Sequence, residues 1–222
     1  FAFTTSFWCT DDSVTMDDDT AMWFHPCQLG PREGGPAAGA PGYFYRYPDS
    51  ARLNDNSSLL FKDEVSNEND SNRLTGYWLY DNEAQIVALE GQPAPIQDTY
   101  WGNQFDAGFV NANGMVLLEN HLQVGAGGVT NDNRIVVVAG TPGNLNVIAR
   151  RQSEIGFGPD AVLSSVDAYG MNDSDQIALA VRLIGPGVSV PPKERQPRFV
   201  CLQTHGYDPR MLPINSEAFR LL

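Results

Sequence analysis

FVNANGMVLLENHL, at residues 109–122, places a polar four-residue step in front of an apolar strand. The arrangement returns in RLNDNSSLLFKDEV from Arg52, GMNDSDQIALAVRL from Gly170 and TMDDDTAMWFHPCQ from Thr15. Aligned on Asp17, Asn54, Asn111 and Asn172, the windows read DDDTAMWF, NDNSSLLF, NANGMVLL and NDSDQIAL, at spacings of 37, 57 and 61 residues. An Asn or Asp at the first place can bond backbone two residues on, and Asn, Asp, Ser or Gly in the next places tolerate tight or left-handed conformations. Each window therefore predicts a turn that launches a strand, with Asp17, Asn54, Asn111, Gly114 and Asn172 as its key turn residues.

Beyond the step at Asn111 the sequence offers four strand-like runs, MVLLENHLQV, NRIVVVAG, LNVIARRQ and VLSSVDAYG, separated by Gly-, Pro-, Asn- and Asp-rich connections. The unit from Asn54 has the same layout in SLLFKDEV, GYWLYDN, AQIVALEG and WGNQFDAGF. A four-stranded antiparallel meander repeated every ~40 to 60 residues is the sequence signature of a propeller blade, which buries its faces only against neighbouring blades. The expectation is one all-β domain over 1–222, a β-propeller or propeller-like stack of units at approximately 16–52, 53–109, 110–170 and 171–222. The first unit has room for only two or three strands, and the last stops one strand short. Residues 1–15 are expected to close the last unit, a pairing that would also bring Cys9 near Cys201.

Composition agrees. Gly 21 and Pro 15 with only 18% charged residues indicate many turns between short strands, and 42% hydrophobic content suffices for a core in 222 residues.

The windows resemble the NxxGxxAF tandem repeat of bacterial surface proteins that carry assorted C-terminal anchors. GYWLY at Gly76 followed by VALEGQPAP at Val87 is similar to the second recurring phrase of that family, an aromatic strand and then an apolar strand ending in Glu-Gly-x-Pro-Ala-Pro. The likeness covers residues 50–184. Asn111 and Gly114 are in place, with Leu117 and Leu118 where Ala and Phe are expected; Asn54 and Phe61 match, as do Asn172 and Ala178; the first copy keeps only Phe24. The resemblance implies an extracellular β-repeat protein and brings no catalytic residues with it.

A net charge of -13 disfavours nucleic acid and anionic membrane surfaces. Residues 1–109 hold 17 Asp/Glu against 5 Lys/Arg, a balance of -12, whereas 110–222 hold 10 against 9, a balance of -1. Contacts between the acidic part of one copy and Arg150, Arg151, Lys193, Arg195 and Arg198 of another are one use of this asymmetry, beside a plain solvated surface. No apolar run reaches the ~18 to 20 residues of a membrane span. The start at Phe1, without a leader, fits a processed mature protein or an excised fragment, and with the resemblance it makes the cell surface or the extracellular space the expected location. Cys9, Cys27 and Cys201 permit one disulfide in any of three pairings, or three reduced thiols.

Signals for chemistry are sparse. His25, His121 and His205 lie in different units without metal-ligand spacing, and no motif of a zinc protease or serine hydrolase occurs. Asp11, Asp12, Asp17, Asp18 and Asp19 are candidate calcium ligands, hard oxygens clustered in an expected loop, as are those of NENDSN from Asn67. Turn chemistry accounts for the same residues without a metal. The aromatics of MWFHP, GYFYRY, GYWLY and TYWGNQF suit core packing or sugar stacking. No cofactor is called for. The reading favours a non-enzymatic extracellular binding or structural module whose partner is a protein, a glycan or a copy of itself. Its alternatives are a self-assembling surface or filament subunit, and a glycan-acting hydrolase or lectin-like binder.

Overall fold

The computed structural model describes residues 2–6, 20–24, 28–154, 161–185 and 198–203, with backbone alone at 2–6, 24, 28 and 198–203. All regular structure among the described residues is β, in antiparallel sheets, none of them closed. The first sheet holds β1 (Ala2–Ser6), β2 (Thr20–Phe24) and β3 (Gln28–Arg32). The second holds β4 (Tyr43–Tyr45), β5 (Asp49–Leu53), β6 (Leu59–Asn67), β7 (Arg73–Asp81) and β8 (Glu83–Leu89). The third is β9 (Trp101–Val110), β10 (Val116–Leu122), β11 (Ile135–Thr141) and β12 (Asn144–Arg150). The fourth is β13 (Val162–Met171), β14 (Gln176–Ile184) and β15 (Arg198–Gln203).

The strands fall where the alternation places them, but the sheets begin one strand earlier than the expected units. The polar step is the hairpin turn between β5 and β6, between β9 and β10, and between β13 and β14. A tight turn forces its two flanking strands to pair with each other, so the strand ahead of the step belongs to the same sheet as the one behind it. β4 and β5 both pair with β6, Tyr45 opposite Val65 and Asp49 opposite Lys62, and so form one leading strand interrupted at Arg46, Tyr47 and Pro48. Proline removes a ladder donor, which accounts for the break.

The second recurring phrase carries the chain from sheet to sheet. Gly34 donates to the Tyr45 carbonyl and Tyr45 to that of Gly35; Gly91 and Trp101 repeat this with Gln92, and Gln152 and Leu163 repeat it with Ser153. Gly34, Gly91 and Gln152 all adopt positive φ, at 74°, 76° and 66°. The connection is thus as much a repeat as the step.

Both faces of the inner sheets are buried, so period-2 alternation splits each central strand between two cores. Val116, Leu118, Val136 and Val138 pack with Leu60, Tyr77 and Leu79 of the second sheet, while Leu117, Val137 and Ala139 pack with Leu163, Val166 and Leu179 of the fourth. Leu59, Phe61 and Trp78 face the other way, against Met22 of the first sheet and the loop residues Ala37 and Ala40. The leading strands touch in series, β1 to β5, β5 to β9 and β9 to β13. β1 pairs with β2, from Ala2 opposite Phe24 to Ser6 opposite Thr20, so closure of the last unit by the first strand is not the pairing found. A partner on its own hairpin costs less loop entropy than one across the whole chain.

Candidate functional site

The step is one structure made three times. Asn54 Oδ1 accepts from the N–H of Asn56 and of Ser58, at 3.0 and 2.7 Å. Asn111 Oδ1 does the same with Asn113 and Met115, at 3.1 and 3.0 Å, and Asn172 Oδ1 with Ser174 and Gln176, at 3.0 and 2.9 Å. The fourth residue of each turn is left-handed: Ser57 at φ 68°, Gly114 at 74° and Asp175 at 59°. That conformation explains the glycine of the NxxG pattern, since a Cβ is disfavoured there.

With their oxygens committed to their own loops, Asn54 and Asn111 each have an amide left to donate, and it reaches the next sheet, whereas the Asn172 amide donates to Gln176 Oε1 within its own step. Asn54 Nδ2 donates to the Asn111 carbonyl at 2.6 Å, and Asn111 Nδ2 to that of Asn172 at 3.1 Å and to Asp175 Oδ1. A second rail runs beside it, Asn56 Nδ2 to the Ala112 carbonyl at 2.6 Å and Asn113 Nδ2 to that of Asp173 at 3.0 Å. The turn residues expected at Asn54, Asn111, Gly114 and Asn172 are therefore brought together as a ladder across three sheets. Asp17 lies outside the described residues.

The opposite end of the second and third sheets holds a cavity of about 380 Å³, lined by Glu90, Trp101, Asn103, His121, Gln123 and Arg134 among others. His121 is buried, its Nε2 3.1 Å from Asp106 Oδ2 and its Nδ1 without a hydrogen-bond partner. Burial holds the imidazole pKa below its ordinary value despite the neighbouring carboxylate, so the neutral ring donates from Nε2 to Asp106. Two residues back on the same face, Glu119 accepts the N–H of Ala168 at 2.7 Å, and burial lifts its carboxyl to about 7, with Asp167 and Asp106 adding to the rise. The amides and charges around the cavity can bind hydroxyl groups.

Several sequence expectations are answered here. Asn67 in NENDSN caps its own loop through the N–H groups of Ser71 and Asn72, and Asp70 is paired with Arg73, so turn chemistry occupies those oxygens. Tyr45, Phe61 and Trp78 form one ring cluster with centroids 5.5 to 5.9 Å apart, and Tyr77 packs edge-on against Phe105. These aromatics are core. Asp11, Asp12, Asp17, Asp18, Asp19, Cys9, Cys27, His25 and His205 lie outside the described residues, as do Lys193 and Arg195. Cys201 sits on β15 opposite Ala178, described as backbone. Among the described residues no three His, Cys, Asp or Glu side chains form a group that could hold a metal ion.

One recurrence was not anticipated. Asp49, Asp106 and Asp167 each stand five residues before a step Asn, on leading strands that touch in series, and all three are exposed. Asp12 holds the same place before Asp17 in the sequence. Extending the aligned windows backwards, through DSARLN, DAGFVN and DAYGMN, reveals it.

Residues 11–194 match the family model described as Family of unknown function (DUF7453). No curated protein and no solved structure matches the chain.

Proposed function

The chain belongs to the Family of unknown function (DUF7453), and from its own geometry we propose that it is a non-enzymatic extracellular module, a propeller-like stack of four β-units that binds or builds at the cell surface. The observation that supports this most is the Asn ladder. Its polar residues recur, and the steps at Asn54 and Asn111 spend them on joining one sheet to the next rather than on a converging set of reactive groups. Repeats of this kind hold a broad, rigid surface whose character is set where the copies differ.

Sizing the purified protein with and without a calcium chelator, at low and high salt, separates the forms of this role. A monomer indifferent to both fits a display module. Mass that rises at low salt fits a self-assembling subunit joined through the acidic and Arg-bearing parts, and mass that changes with chelator makes calcium its cofactor. Surface biotinylation of the source cells tests location, and labelling confined to lysed cells would refute an extracellular role.

A lectin-like second reading is favoured by the cavity, which Glu90, Asn103, Gln123 and Arg134 line together with a buried Trp101 and His121. Hydroxyl-rich ligands suit such a mixture of donors and acceptors. A glycan array tests it: binding lost on Arg134→Ala and Glu90→Gln supports the site, and release of reducing sugar would turn the reading into a hydrolase.

A further inference from the structure

The cavity of the second and third sheets is lined by a cation with no counter-charge among the described residues. Arg134 is half-buried, and its guanidinium has neither a hydrogen bond nor an ion pair there. Its backbone is fixed, since the Arg134 carbonyl accepts the Leu122 N–H at 2.8 Å where β10 and β11 meet. Burial first, and then the charge of Arg134, hold the His121 pKa down against the pull of Asp106, which puts the guanidinium close to that ring. The carboxylates around it are engaged elsewhere. Glu90 Oε2 accepts the Thr75 N–H at 3.3 Å, and Asp106 accepts from His121 Nε2 at 3.1 Å and from Gln104 Nε2 at 3.0 Å. Asn103 and Gln123 are exposed on the same lining, with side-chain amides that bond to nothing among the described residues. The lining therefore offers a guanidinium fork and two amides beside one remaining carboxylate oxygen, with Val124, 47% exposed, as an apolar neighbour.

We propose that the cavity takes an acidic sugar, a uronic acid, with its carboxylate on Arg134, its ring hydroxyls shared among Asn103, Gln123 and Glu90 Oε1, and its C–H face against Val124. This rests on the lectin-like reading of the cavity and narrows its ligand. Arginine matches a carboxylate with two parallel N–H···O bonds, each about twice as strong as a neutral one. A neutral sugar would displace water from that fork without replacing its bonds, and the ammonium of an amino sugar would meet a like charge. The volume, about 380 Å³, lies at the lower end of small-ligand sites and suits a single unit at a chain end. A net charge of -13 opposes an anion at long range, so recognition here comes from contact and not from steering.

Titration calorimetry on the full chain tests this with tetramers of galacturonate, glucuronate and mannuronate, the methyl ester of each, and neutral and glucosamine tetramers. At least one acid should bind, about tenfold or more tighter than its own ester, and added salt should weaken the acid alone. Arg134→Gln should bring acid and ester to equal affinity, whereas Arg134→Lys, which keeps the charge without the fork, should retain the salt dependence and part of the preference. Where circular dichroism finds Arg134→Gln unfolded, Arg134→Lys carries the comparison. An ester, a neutral tetramer or the glucosamine tetramer binding as tightly as the acids overturns the proposal and leaves the lectin-like reading standing. An undiminished acid preference in folded Arg134→Gln places the carboxylate elsewhere and overturns it too. Failure of every acid to bind also overturns it, and if the neutral glycans are silent as well, the lectin-like reading falls with it.

Discussion

Asn54 Nδ2 lies 2.6 Å from the carbonyl oxygen of Asn111, a residue 57 places further along the chain and at the same position of the next turn. Burial is graded along this series: Asn111 is 2% exposed, Asn54 9%, and Asn172 exposed. Truncating Asn111 leaves the N–H groups of Asn113 and Met115 without their acceptor and the third and fourth sheets without their shared amide. Asn111→Ala should cost about 2–3 kcal/mol, and Asn172→Ala, whose loop water can reach, about 1 kcal/mol or less. Urea unfolding midpoints measure both. Equal losses at the two positions would mean that the turn, not the ladder, carries the energy.

The fourth residue of the step offers a conformational test free of that hydrogen bonding. Ser57 holds φ 68° with a Cβ, and Gly114 holds 74° without one. Ser57→Gly should raise stability by roughly 0.5 kcal/mol, the relief of the left-handed Cβ less the added freedom of the unfolded chain, and Gly114→Ala should lower it by about 1 kcal/mol. No contact changes at Gly114, where an added Cβ would meet nothing within 4 Å. A neutral result at both places would sink the conformational account of the NxxG pattern.

Much of this fold was legible because turn chemistry and alternation are local. Asn54, Asn111 and Asn172 announce turns by residue type, and Val116 to Leu118 announce a strand. Sheet membership was not legible, since it depends on which strand the hairpin closes against, and windows opened at the step hid the leading strand and its Asp49, Asp106 and Asp167. The His121–Asp106 contact left no spacing signal, because it joins two strands whose register shifts between Glu119 and Asn120 and again before Leu122. The third sheet-to-sheet connection was missed for a simpler reason: Gln152 takes the left-handed place that Gly34 and Gly91 hold.

Buried carboxyls make stability depend on pH in a stated direction. Burial lifts Asp63 to about 8, opposed by the N–H groups of Tyr47, Arg46 and Glu64 and reinforced by the charge of Glu33; Glu119 rises to about 7. Folded values above the unfolded ones mean that the native state holds the extra protons. Their stabilisation is complete below pH ~4 and is lost as pH rises through 7 and 8. Urea midpoints should therefore fall between pH 5 and pH 8.5. Asp63→Asn, which keeps an oxygen for the N–H groups of Arg46 and Tyr47, should flatten that fall, and an unchanged slope would show that Asp63 is ionised throughout.

Where the leading strand β9 crosses the second sheet, only glycine fits. A Cβ on Gly108 would stand 2.8 Å from Tyr77 Cε1, 2.9 Å from its Cζ and 3.0 Å from Leu60 Cδ2. Tyr77 is 2% exposed and edge-on to Phe105 at 6.0 Å, so its ring has no free direction in which to yield. Gly108→Ala should cost about 1–3 kcal/mol through overpacking, seen as a lower urea midpoint at unchanged slope. Tyr77→Leu opens the space that the methyl needs, so the two changes together should cost less than their sum. Strict additivity would mean that the sheets separate around the methyl instead of holding their spacing, and that the core shared by Leu60, Tyr77 and Val116 is softer than its burial implies.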